Sequence, residues 1–157
     1  MTMVRTAMLT AALLLALPAL HGLAQAPMPA APGTARSHKL AIQVDENKPE
    51  VMALALNNAQ NVLDHFKAKG EPVTVEIVAY GPGLHMLRDD TSPVKSRIAA
   101  MSLAEPSLAF IACEITRTNQ SKQEGRAITL VSEARSTASG VVRLMELQAE
   151  GYAYIRP

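Results

Sequence analysis

The order of segments along this chain predicts an α/β protein: an open, mainly parallel sheet of about five strands with helices on both faces. Three observations predict it. Short β-branched or apolar runs alternate with longer segments whose apolar residues recur every three or four positions. The gaps between the runs have the length that right-handed crossovers need. The run from Leu108 to Cys113 carries no charge, as suits a central strand buried on both faces of a parallel sheet.

The 157 residues are enough for one domain with a real core but not for two. Residues 1–24 have the layout of a secretory signal peptide: Arg5 supplies the positive charge, residues 7–17 form a compact apolar core, and small residues precede a cut after Ala24. That core is shorter than the roughly 20 residues a bilayer span takes. No cysteine lies near the cut, which excludes a lipid-anchored lipoprotein. Residues 25–37, rich in Ala and Pro and without periodicity, read as a flexible lead-in. The expected product is a periplasmic domain over 38–157, with no membrane association after cleavage.

Within that domain, residues 39–44 read as the first strand. Pro49 then suits the first turn of a helix, where its missing N–H costs nothing. Met52, Ala55, Leu56, Ala59, Val62, Leu63 and Phe66 make one apolar stripe, and Gly70 stops the helix. Residues 73–80 are a β-branched second strand, ended by Gly81-Pro82-Gly83 and a short helical turn over 84–87. Ser92 before Pro93 marks the start of a helix carrying Val94, Ile98, Met101 and Leu103 inward, and Pro106 ends it. The third strand runs to Cys113, and residues 115–123 read as helix. Residues 127–131 are expected as the fourth strand. A helix after Gly140 presents Val141, Leu144 and Met145 on one face, Gly151 ends it, and residues 152–155 form a last short strand.

Composition narrows the function. Removing the first 24 residues takes away Arg5 and no acid, leaving 14 Lys+Arg against 14 Asp+Glu. A net charge of zero is no footprint for DNA, RNA or an acidic membrane. Two Phe, three Tyr and no Trp also make a base-stacking platform improbable. Gly81 and Gly83 lack the third glycine of a dinucleotide loop and the Gly-Lys-Ser/Thr ending of a P-loop, so no nucleotide cofactor is expected. The four histidines and one cysteine show no spacing that puts two metal ligands on one face, so no metal is expected either.

The candidate chemistry converges on the carboxyl edge of the sheet, where open α/β folds bind ligands. Cys113 ends the third strand and is the only cysteine, so it forms no intramolecular disulfide. A helix start, with Arg117 one turn on, would lower its thiol pKa; Glu114 and burial act the other way. A reactive thiol and a passive core thiol therefore stand side by side. His85 follows the second strand as Cys113 follows the third, which would place an imidazole beside the thiol. The alternative is a solvent-exposed loop histidine. Tyr80, Gly81 and Gly83 form a turn that reads either as a structural corner or as backbone amides able to bind a small anion.

From Lys39 onward the chain resembles the exported single-domain members of the DsrE/DsrF-like family. The resemblance is carried by Ala55-Leu56-Asn57-Asn58-Ala59-Gln60-Asn61, by Val78-Ala79-Tyr80-Gly81-Pro82-Gly83-Leu84, by Ala112-Cys113 after a hydrophobic strand, and by the ending from Leu147 to Ile155. It implies a parallel α/β fold and homo-oligomers, trimers or hexamers. In the family's sulfur-relay members a cysteine after the third strand carries a persulfide passed between partner proteins, and Cys113 occupies the matching place. The resemblance thus implies a donor or acceptor protein as partner; His85, Arg117 and Thr116 are candidate auxiliaries to the thiol by their places in this chain.

Overall fold

The computed structural model describes residues 37–157; the expected signal peptide, and the lead-in up to residue 36, lie outside the described residues. Five strands, β1 (His38–Val44), β2 (Val73–Ala79), β3 (Leu108–Cys113), β4 (Ala134–Thr137) and β5 (Ala153–Ile155), form one sheet in the order β4-β3-β2-β1-β5. Every neighbouring pair is parallel. The helices are α1 (Pro49–Ala68), α2 (Lys95–Ala104), α3 (Glu114–Glu124) and α4 (Gly140–Ala149), with a 3-10 helix over Gly81–Leu87.

The strand order decides which face each helix covers. From β1 to β4 the chain advances one strand at a time in a single direction, so right-handed crossovers put α1, the 3-10 helix, α2 and α3 on one face. The return from β4 to β5 runs the other way and lays α4 across the opposite face. The core divides accordingly. Ile42, Val44, Ile77, Ala79, Phe110 and Ala112 point into the larger cluster, which holds the stripe of α1. Ala41, Val78 and Ile111, their alternating neighbours, pack with Leu144 and Leu147 of α4.

The local reasons are those visible in the chain. Pro49 occupies the first turn of α1, and Gly70 stands past its end at φ +67°. β3 is buried along nearly its whole length because it sits between β2 and β4 with both faces covered.

Three expectations are corrected. The fourth strand is Ala134–Thr137 and not residues 127–131. Ile128 and Val131 are buried, but their segment straps the end of the 3-10 helix: Val131 N–H donates to Leu87 O, Asp89 N–H to Thr129 O, and Leu130 bridges Arg88. The true β4 is an edge strand with no fully buried residue, so it carries little apolar signal. Second, α2 starts at Lys95; the Ser92 hydroxyl donates to Met86 O instead of capping the first turn. Leu103, expected inward, is 87% exposed, because it lies about 200° around the helix from Met101. Third, the buried stripe of α4 is Gly140, Leu144 and Leu147, while Val141, Val142 and Met145 are at least half exposed.

The junction between β1 and the 3-10 helix is close-packed. A Cβ on Gly83 would lie 2.2 Å from the carbonyl oxygen of Val44. Gly83→Ala is therefore expected to lose about 3 kcal/mol in urea unfolding, whereas Leu103→Ser should stay within about 0.5 kcal/mol of the parent.

Candidate functional site: a covered thiol where two helices part

β3 and β4 are neighbours, yet α3 leaves β3 toward one face and α4 leaves β4 toward the other. This is the topological switch point of the sheet, where the carboxyl ends open a crevice. Cys113 stands there as the residue preceding α3, its side chain on the α4 face with Ile111. It is only 4% exposed. Burial pushes the thiol pKa up, but the Thr116 hydroxyl and the nearby amides of Gly140, Thr116 and Ile115, the last of which also donates to Ala138 O at 3.3 Å, favour the thiolate and prevail, so the thiol lies below its ordinary value. The donors come from the first turns of two helices, whose early N–H groups have no partner within the helix.

Thr116 ties this sulfur to the turn after β2. Gly81 N–H donates to Thr116 Oγ1 at 2.9 Å, and Gln120 Nε2 donates to Gly81 O at 3.1 Å. The hydroxyl that accepts from Gly81 keeps its own proton to offer, and Thr116 is the side chain that lowers the thiol pKa. Gly140 admits the close approach of α4: a Cβ there would stand 3.0 Å from Tyr80 Cβ and 3.3 Å from Cys113 Cβ. Tyr80 lies one step past the registered pair Ala79–Ala112, level with Cys113. Burial, with Asp45 and Tyr154 nearby, holds its phenol above the usual value and so uncharged at neutral pH.

The expected anion-binding turn has no amide to offer. Gly81 N–H is taken by Thr116, Gly83 N–H by Tyr80 O at 3.0 Å, and Pro82 has none. The two glycines serve geometry instead, Gly81 by its φ of +53° and Gly83 by its contact with Val44. His85 does not join Cys113. Its 3-10 helix packs on the opposite face from the thiol, and its Nδ1 meets Thr91 Oγ1 at 2.8 Å. Burial and the Arg88 charge lower its pKa. Arg117 gives its guanidinium to Glu114 at 2.8 Å and not to the sulfur. Of the predicted helpers, Thr116 alone acts on the Cys113 thiol, lowering its pKa.

A buried arginine was not anticipated. Arg88, 1% exposed, spends all five N–H donors: on both oxygens of Asp90, both of Glu124, and Gln120 Oε1. Arg126 closes the group by pairing with Asp90 and Glu124. This network pins α3, none of whose residues is buried, against the end of the 3-10 helix. The one signal in the sequence was Gln120 and Glu124 four apart on one helix face.

An open parallel α/β domain holding a covered cysteine at its switch point is the class that fold and site define. The chain is similar to the solved structure of MTH1491, a protein of unknown function from Methanobacterium thermoautotrophicum. The two share 29% identity with a TM-score of 0.62, over 76% of this chain and 99% of that one. No family model and no curated protein matches the chain.

Replacing Arg88 with Leu leaves Asp90 and Glu124, each one-third exposed, to Arg126 alone, and is expected to cost about 2 kcal/mol, below the loss from a fully buried pair. The ion pairs hold Asp90 and Glu124 below the usual carboxylate range. Their stabilisation is thus complete above the unfolded-state pKa of about 4 and is lost as pH falls through the lowered folded values. Acid unfolding of the parent should show this loss below pH about 4, and Arg88→Leu should flatten it.

Proposed function

We propose that this protein is an exported sulfur carrier of the DsrE/DsrF type that holds a sulfane sulfur on Cys113 as a persulfide. What supports it is the place of Cys113 at the starts of two helices, where the Thr116 hydroxyl and the amides near Ile115 and Gly140 lower the thiol pKa and favour the thiolate. The Cys113 thiolate attacks the outer sulfur of a donor persulfide. The donor's S–S bond breaks, the donor leaves as a thiolate, and Cys113 carries –S–SH; no oxidant or reductant is consumed. A second thiolate, on an acceptor protein, removes the outer sulfur by the same exchange. Cys113 is covered, with the start of α4 packed against it and Tyr80 beside that, so a donor reaches it only as its surroundings shift, and that cover also slows stray oxidation in an oxidising compartment. Residues 1–24 are the export signal in this reading.

The 4% exposure of Cys113 favours a second reading, a non-enzymatic oligomeric module that binds a small ligand or a partner at the same edge. Reaction with a sulfane-sulfur donor separates the two. The carrier gains the mass of one sulfur on Cys113, and its alkylation rate has a midpoint below the ordinary thiol pKa. Thr116→Val should move that midpoint upward and slow alkylation at pH 7 several-fold. A thiol that stays inert until the chain is unfolded leaves only the second reading.

Either reading includes a homo-oligomer, a trimer or hexamer, supported by Val141, Val142 and Met145 standing exposed along α4. Sedimentation should give a species above monomer mass, and Val142→Asp with Met145→Asp should return it to monomer. A parent that sediments as a monomer removes this part of the proposal.

A further inference from the structure

On the face away from the thiol, a cleft of about 410 Å3 runs between the 3-10 helix and α3. Pro82 and His85 line it from the 3-10 helix, and Thr116, Asn119, Gln123 and Glu124 from α3. Its charge is cancelled from within. Both Glu124 oxygens are held by Arg88, with Arg126 beside them, and the lowered pKa leaves the His85 imidazole uncharged at neutral pH. Its hydrogen-bonding capacity is not cancelled. Gln120 is committed to Gly81 and Arg88, but among the described residues nothing engages the side-chain amides of Asn119 and Gln123. Nδ1 of His85 is tied to Thr91, leaving Nε2 for an incoming group.

We propose that this cleft binds a small uncharged ligand bearing a carboxamide or ureido group. Each free amide of Asn119 and Gln123 offers a donor and an acceptor, which matches the paired N–H and C=O of such a group. A charged ligand would lose its hydration and find no unpaired counter-charge in return. The apolar faces of Pro82 and His85 supply the flat contact that orients the rest of the molecule. This site goes beyond the sulfur-carrier reading and does not rest on it. The two share only the Gly81–Thr116 bond, which separates the cleft from Cys113.

Two matched pairs of probes test it on 15N-labelled protein: nicotinamide against nicotinate, and acetamide against acetate. The amides should shift the side-chain NH2 resonances of Asn119 and Gln123 and the backbone amide of Thr116, and the carboxylates should not. The double variant Asn119→Ala with Gln123→Ala, at exposed helix positions, should bind the amides about tenfold more weakly. The shifts should persist in Cys113→Ser, so a failed sulfur reading leaves this outcome intact. Equal response to the carboxylates, absence of shifts at these residues with both amides, or unchanged binding by the double variant each overturns the proposal.

Discussion

The geometry of the carboxyl edge depends on how closely backbone can approach backbone there. Two glycines set the distances. Gly83 lets the 3-10 helix settle against the Val44 carbonyl, and Gly140 lets α4 begin in contact with Tyr80 and Cys113. Neither position tolerates the space of a methyl without movement in a neighbour, and at Gly83 that neighbour is main chain. With both contacts made, the starts of α3 and α4 converge on one sulfur atom. The polarity of the site is therefore a consequence of close packing more than of any charged side chain.

Charge does a different task in this molecule. α3 buries none of its residues, so apolar packing cannot hold it. Arg88 does so instead, through Glu124 and Gln120, and Gln120 in turn reaches Gly81. On the other face Arg143 of α4 clamps both oxygens of Glu76 in the central strand β2, at 3.1 and 2.7 Å. Each helix that contributes donors to Cys113 is thus oriented by a forked guanidinium–carboxylate pair. Such pairs give modest net stability but demand a particular alignment, which is what a hydroxyl acting on a thiol needs.

Much of the frame could be read along the chain. The stripe of α1, its proline start and glycine stop, the β-branched β2 and the uncharged β3 all announce themselves through local periodicity and composition. The fourth strand could not be read so. Its four residues lie at an open edge with no apolar pattern, while the neighbouring buried segment around Ile128 and Val131 mimicked a strand and serves as a strap. The outward faces of α2 and α4 misled for a related reason: Leu103, Val141 and Met145 are apolar without being core.

By itself, then, the sequence determined the α/β class, the succession of crossovers and the position of a lone cysteine at the end of β3, because each depends on residues close together in the chain. Tertiary structure decided which groups meet that cysteine. Gly140 reaches it from another helix, and Thr116 acts on its thiol while bonded to Gly81. His85 is carried to the opposite face, and Arg88 is buried against Gln120 and Glu124, both more than thirty residues away. Those meetings follow from strand order and the hand of each crossover, which bring distant residues together and leave no mark in local spacing.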